Sequence, residues 1–239
     1  MAAESRPRSE AHGHQHRDVS GGWLRPAVFG AMDGLVTNVS LIAGVGGGGG
    51  TAHTIVLTGL AGLAAGAFSM AAGEYVSVSS QNELIYAEVD KERRELETNA
   101  AAEQAELAAM LRARGVRPAT ARQAAAEISA DPAKALAVHA LEELGVDPGE
   151  LPSPLVAAAA SLASFAAGAL VPLLPYLAGL HVLAAALALA AAAAVAGGGM
   201  VARLTGRPFW RGALRQLVLG AIAAGFTYLI GLGVGHVAG

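Results

Sequence analysis

The chain contains no cysteine. That excludes disulfides, thiolate metal sites and cysteine nucleophiles. Charge is also scarce: 15% of the 239 residues are Asp, Glu, Lys or Arg, against about 25% in soluble domains. A formal net charge of −3 gives no basic field, so nucleic acid is excluded as a partner. No nucleophile stands beside a base, so no soluble enzyme is indicated. "GVGGGGG" lacks the Lys and Ser/Thr of a phosphate loop and reads as a flexible turn, which argues against ATP-driven transport within this chain. The opening "MAAESRPRSEAHGHQHRDVSGG" has no apolar core before a cleavage site. It reads as a disordered cytoplasmic tail, not a signal peptide, and the first apolar segment after it as a retained span.

What the chain has in quantity is apolar residues: 54% are hydrophobic, and the mean hydropathy is +0.46. Apolar segments run from Leu24 to Val45 and from Thr54 to Val78. Three more follow in "SPLVAAAASLASFAAGALVPLLPYL", "GLHVLAAALALAAAAAVAGGGMVA" and "GALRQLVLGAIAAGFTYLIGLGVG". Each supplies about 20 apolar residues, enough at ~1.5 Å per residue to cross a hydrocarbon core of about 30 Å. Their Ala and Gly content lets helices approach closely. Between the second and third segments lies a stretch holding most of the charges in helical patterns. The expected fold is an all-α membrane protein: five transmembrane helices with a cytoplasmic insert between spans 2 and 3. Its divisions are a tail over 1–22, spans 1 and 2 over 23–80, the insert over 81–150 and spans 3 to 5 over 151–239.

All 16 Lys and Arg fall in three places: the N-terminal region through Arg25, the insert from Lys91 to Lys134, and "RLTGRPFWRGALR" from Arg203 to Arg215. With five spans these places share one face of the membrane, and the other face has no Lys or Arg. The positive-inside pattern predicts a cytoplasmic N-terminus and insert and an external C-terminus.

Of the 19 Asp and Glu, only Asp33 and Glu74 lie within apolar spans. A charge in mid-bilayer costs on the order of a few kcal/mol unless paired, hydrated or neutralised, so both are candidates for function ahead of helix capping or snorkelling. Asp33 sits about 12 Å inside the cytoplasmic end of the first span. Glu74 falls near the cytoplasmic boundary of the second, with Met70 one turn deeper on the same helical face. The three are expected to converge in the inner half of the membrane. Two hard carboxylates and one soft thioether suit a borderline divalent ion such as Fe²⁺ better than Mg²⁺ or Ca²⁺. The same oxygens take protons when the ion leaves, which is the minimum machinery for metal–proton exchange. Thr37, Asn38 and Ser40 add polar atoms to the first span.

The insert repeats the carboxylate theme. Glu92 and Glu95, then Glu103 and Glu106, are i, i+3 pairs that each share a helix face. "ETNAA" predicts a break between them, with Asn99 as N-cap, and a hairpin there would set the pairs face to face. His139 and Glu143 share a face at i, i+4, and Gly145 and Pro148 end that helix. Surface ion pairing among "KERREL" is the competing explanation for these charges. His12, His14 and His16 of "HGHQH" can bind metal weakly or have no role.

"DGLVTNVSLIAGV", "GAFSMAAGEYVSVSSQ", the "ERREL" insert and "EELGVDP" resemble the vacuolar iron transporter family, which includes bacterial members; the match runs from about Leu24 to the C-terminus. The resemblance implies five-span homodimers in the lipid bilayer that move Fe²⁺, and often Mn²⁺ or other divalent ions, out of the cytoplasm in exchange for protons. It implies an insert that is a three-helix metal-binding domain, its first helix continuous with the second span. It places the transport path on Asp33, Met70 and Glu74. The insert's metal ligands fall on Glu92, Glu95, Glu103, Glu106 and Glu143, with His139 where the family usually has Met, a change that leaves Zn²⁺ or Co²⁺ acceptable. The resulting expectation is a homodimeric metal–proton antiporter of a bacterial plasma membrane. A dedicated Mn²⁺ exporter and a membrane-anchored metal buffer or sensor stand as alternatives.

Overall fold

The computed structural model describes residues 22–238, and their regular structure is entirely helical. His12, His14 and His16 lie outside the described residues. Five helices among them are long and apolar enough to cross a membrane.

Helix α1 (Leu24–Gly47) turns through Gly48–Gly50 into α2 (Ala52–Thr98), whose first turn is capped by the Thr51 hydroxyl accepting from the Thr54 N–H at 3.2 Å. Gly49 has φ +78°, a conformation that glycine adopts without strain. Helix α2 has 47 residues, about 70 Å of helix, more than twice the hydrocarbon thickness. The second span therefore runs unbroken into the insert. Nothing between Ser77 and Thr98 stops it: the stretch holds no Gly or Pro, and Asp90 pairs with Arg93 and Arg94 along its exposed side.

The break comes at Asn99, as the residues predict, by a different device. The Asn99 side chain makes no cap bond; its backbone carbonyl accepts from the N–H groups of Ala102 (2.8 Å) and Glu103 (3.2 Å), while its own N–H closes α2 on Glu95. Helices α3 (Ala100–Ala113), α4 (Pro118–Ser129) and α5 (Pro132–His139) follow. The last leg of the insert is divided at Asp131: Pro132 has no N–H to continue α4, and the Asp131 carboxylate accepts from the N–H groups of Ala133 and Lys134 to start α5. Leu107, Ala108 and Ala125 form a small core there. Helix α5 widens into a π-turn, Ala140–Leu144, which Gly145 ends at φ +68°.

The remaining spans are α6 (Pro154–Leu170) with its short continuation α7 (Leu174–Leu177), α8 (Leu183–Leu204) and α9 (Phe209–Ala238). Helix α1 is central and packs on α2, α6, α8 and α9. Its contact with α6 is a glycine seam: a methyl on Gly34 would overlap the Phe165 carbonyl, and one on Gly168 the Ala31 carbonyl. Between α6 and α7 the chain tightens into a 3₁₀ turn at Val171–Leu173, where Pro172 cannot donate. Carbonyls of the last α6 turn lose donors there, and the Asn38 side-chain amide, 1% exposed, donates to the Ala169 carbonyl.

Candidate metal centre

The insert gathers Glu92 from α2, Glu103 from α3, and His139 and Glu143 from the last leg. One ligand atom from each lies within 4.8 Å of the others. His139 is fully buried, and Glu92 and Glu103 are each 7% exposed. The imidazole Nδ1 stands 2.9 Å from Glu92 Oε1, 2.9 Å from Glu143 Oε1 and 3.8 Å from Glu103 Oε2. Only the Glu143 contact has hydrogen-bond geometry. Glu92 Oε1 is buried with no hydrogen-bond partner. An oxygen in that state is costly and faces the same point as the neighbouring donors. A transition-metal ion about 2.1 Å from each donor would separate adjacent donors by about 3 Å and opposed ones by about 4.2 Å. The observed spacings fall in that range.

Electrostatics favour a cation at the same point. Burial pushes the Glu92 carboxyl above the ordinary carboxylate range. Glu143, Glu103 and Glu95 push it the same way, and His139 opposes them. Glu103 is also raised, first by burial and then by Glu106, Glu95 and Glu143, again against His139. Crowded, dehydrated carboxylates hold protons, and a divalent ion supplies the missing positive charge.

Of the six insert residues expected as ligands, four meet. Glu95 and Glu106 contribute no atom to the group; they lie on the more exposed side of their helices and act on Glu92 and Glu103 through their charge. Each i, i+3 pair sends one member into the group, and the spacing alone does not say which. His139 and Glu143 do meet at i, i+4, across the opening of the π-turn. Arg114, at the end of α3, pairs with Glu142 at 2.8 Å, and that carboxylate is not part of the cluster. Sequence reasoning had no signal for this pair, since the two residues are far apart in the chain.

In the membrane, Asp33 is half-buried on α1 and accepts a long bond from the Thr37 hydroxyl at 3.4 Å. Met70 is half-buried on α2 beside the cluster of Ala67, Phe165 and Ala169, and Glu74 is half-buried one turn along the same helix. Among the described residues neither Asp33 nor Glu74 enters an ion pair, and neither belongs to a cluster of three or more acidic or His side chains. A cavity of about 540 Å³ lies among α1, α8 and α9, lined chiefly by Leu35, Val39, Leu187, Ala190, Leu217 and Ala224. Its wall is apolar and has no carboxylate or imidazole to hold a cation, so it is not part of the ion chemistry. Asn38 binds the α6 break, a structural role.

Residues 24–232 match the model of the VIT family. A vacuolar iron transporter of Acanthamoeba castellanii is 36% identical over 226 residues, covering 92% of this chain and 82% of that protein. Vacuolar iron transporter homolog 1 of Oryza sativa subsp. japonica is 38% identical over 209 residues, covering 86% of this chain and 71% of that protein. Vacuolar iron transporter homolog 3 of Arabidopsis thaliana is 36% identical over 216 residues, covering 87% and 84%.

Proposed function

The chain belongs to the VIT family, and on that premise we propose that it carries divalent metal ions, Fe²⁺ foremost, out of the cytoplasm in exchange for protons. Relatives named as iron transporters support metal-ion transport and not enzymatic chemistry. The observation that carries the reading is the buried, unpartnered Glu92 oxygen in a cage of three carboxylates and one imidazole, on the same continuous helix that carries Met70 and Glu74 into the bundle. Glu74 and Glu92 are 18 residues apart. That is five turns, so they share a face of α2 about 27 Å apart along the axis.

In this reading the insert concentrates the ion on the cytoplasmic side. Asp33, Met70 and Glu74 then take it into the membrane. The cost of a charged carboxylate in lipid falls when it is paired with the cation and rises when the cation leaves, so departure of the ion favours proton uptake from the other side. Mn²⁺ fits the same oxygen and thioether set, and Zn²⁺ and Co²⁺ fit the cage. One chain offers only three side chains at the membrane site, and a divalent ion takes four to six ligands. A homodimer would double the set. The charge pattern supports an insert in the cytoplasm of a multi-pass plasma-membrane protein.

The test is transport by liposomes holding purified protein under an imposed pH gradient. Fe²⁺ and Mn²⁺ should move against the proton flux, and Asp33→Ala or Glu74→Ala should lower the rate at least about tenfold. Normal rates in both variants would remove these acids from the path.

A further inference from the structure

We infer that His139 sets which ions the insert accepts: its buried imidazole makes a cage that would otherwise suit Mg²⁺ and Ca²⁺ one that favours transition-metal ions. The inference rests on the reading of this cluster as a metal site. Without His139 the gathered donors are the carboxylates of Glu92, Glu103 and Glu143. An all-oxygen, triply anionic cage is hard-ion chemistry, well suited to Ca²⁺. The one non-oxygen donor in the group is the His139 imidazole.

The ring is held in place. It is fully exposed to neither water nor lipid, being 0% exposed. Its Nδ1 lies 2.9 Å from both the Glu92 and Glu143 oxygens. Its backbone sits where α5 passes into the π-turn, and the Arg114–Glu142 pair at 2.8 Å ties that turn to the end of α3. A hard ion entering the cage therefore meets a nitrogen that cannot withdraw in favour of water. Mg²⁺ and Ca²⁺ gain little from imidazole nitrogen, whereas Fe²⁺, Co²⁺ and Zn²⁺ gain substantially. Nitrogen donors also separate the first-row ions, so Co²⁺ and Zn²⁺ should bind more tightly than Mn²⁺.

Calorimetric titration of the full-length, chelator-stripped protein in detergent tests this, with Co²⁺, Zn²⁺, Mn²⁺, Mg²⁺ and Ca²⁺ as the probes. The proteins compared are wild type, H139Q and the double variant E92Q/E103Q. The double variant isolates the binding that belongs to the cage. Cage binding in wild type should favour Co²⁺ over Ca²⁺ by about 100-fold or more, and H139Q should reduce that ratio at least about tenfold, chiefly through weaker Co²⁺ binding. If E92Q/E103Q binds Co²⁺ as wild type does, the cage is not a metal site and the underlying reading fails. If E92Q/E103Q loses the binding but H139Q keeps the Co²⁺ to Ca²⁺ ratio, the cage stands and the role of His139 is overturned. H139N serves as a second variant should H139Q fail to fold. The wild-type ratio decides without either: a cage that prefers Ca²⁺ or Mg²⁺ to Co²⁺ overturns the inference.

Discussion

At the scale of single residues, the insert places carboxylates where they destabilise the metal-free protein. Glu92 is raised by burial and by its acidic neighbours. A carboxyl whose folded-state value lies above its unfolded one contributes stability that is present below the unfolded value and lost as pH rises through the folded one. Glu103 acts in the same direction. The metal-free insert should therefore weaken as pH rises from about 4.5 upwards, and added metal should compensate more at each step, because ions and protons compete for the same oxygens. Melting curves of the purified protein with and without Co²⁺ should show the gap widening between about pH 5 and 7.5. Glu92→Gln should melt about 2–5 °C higher than wild type without metal at neutral pH, and lose most of the metal-induced shift. A Glu92→Gln protein that melts lower and still gains the full shift would mean that Glu92 holds the fold and not the ion.

The same scale shows what spacing could reveal. Glu92, Glu103, His139 and Glu143 were legible as members of helix-face pairs. The inward members are fixed by the angle at which α2 and α3 meet after Asn99, a tertiary quantity that local pattern does not encode. Glu142 and Glu143 are neighbours in "HALEELG"; the i, i+4 spacing from His139 picks out Glu143, while the Arg114 partner of Glu142 has no local signal.

At the scale of elements, two devices set the architecture. One is the length of α2, which was legible as an absence of Gly and Pro from Ser77 to Thr98 and which makes insert and span one rigid rod. The other is close glycine packing around α1, legible only as a composition rich in glycine. Which glycines matter depends on the facing backbone. At Gly34 a methyl would collide with the Phe165 carbonyl, backbone that cannot move without displacing α6. At Gly233 of α9 nothing lies within 4 Å. Gly34→Ala should thus destabilise by about 1–3 kcal/mol as overpacking. Gly233→Ala should be neutral or stabilise by about 0.5 kcal/mol through helix propensity. Thermal melting of the two variants in one detergent checks the contrast. Equal effects would show that the α1–α6 seam has room to open. The Asn38 bond to Ala169 belongs to the same logic: a proline break in one span is satisfied by a side chain from its neighbour, and neither partner announces the other in sequence.

At the scale of the whole molecule, the distribution of charge gives the fold a direction. Basic residues at the ends of α1 and α9 and throughout the insert leave the opposite ends of the bundle without Lys or Arg. Orientation decides what transport means here, because a cage in the cytoplasm loads ions for export and the same cage outside would load them for uptake. The absence of cysteine makes the orientation directly measurable: any introduced cysteine is the only thiol in the chain. Ala178 lies in the exposed loop between α7 and α8, and Ala113 at the exposed end of α3 in the insert. In intact cells a membrane-impermeant maleimide should label Ala178→Cys, and should label Ala113→Cys only after permeabilisation. The reverse pattern would leave every helix and the metal cage as described but would turn the cage outward. The ion would then be loaded from outside, and proton-coupled export from the cytoplasm would no longer follow from the position of the insert.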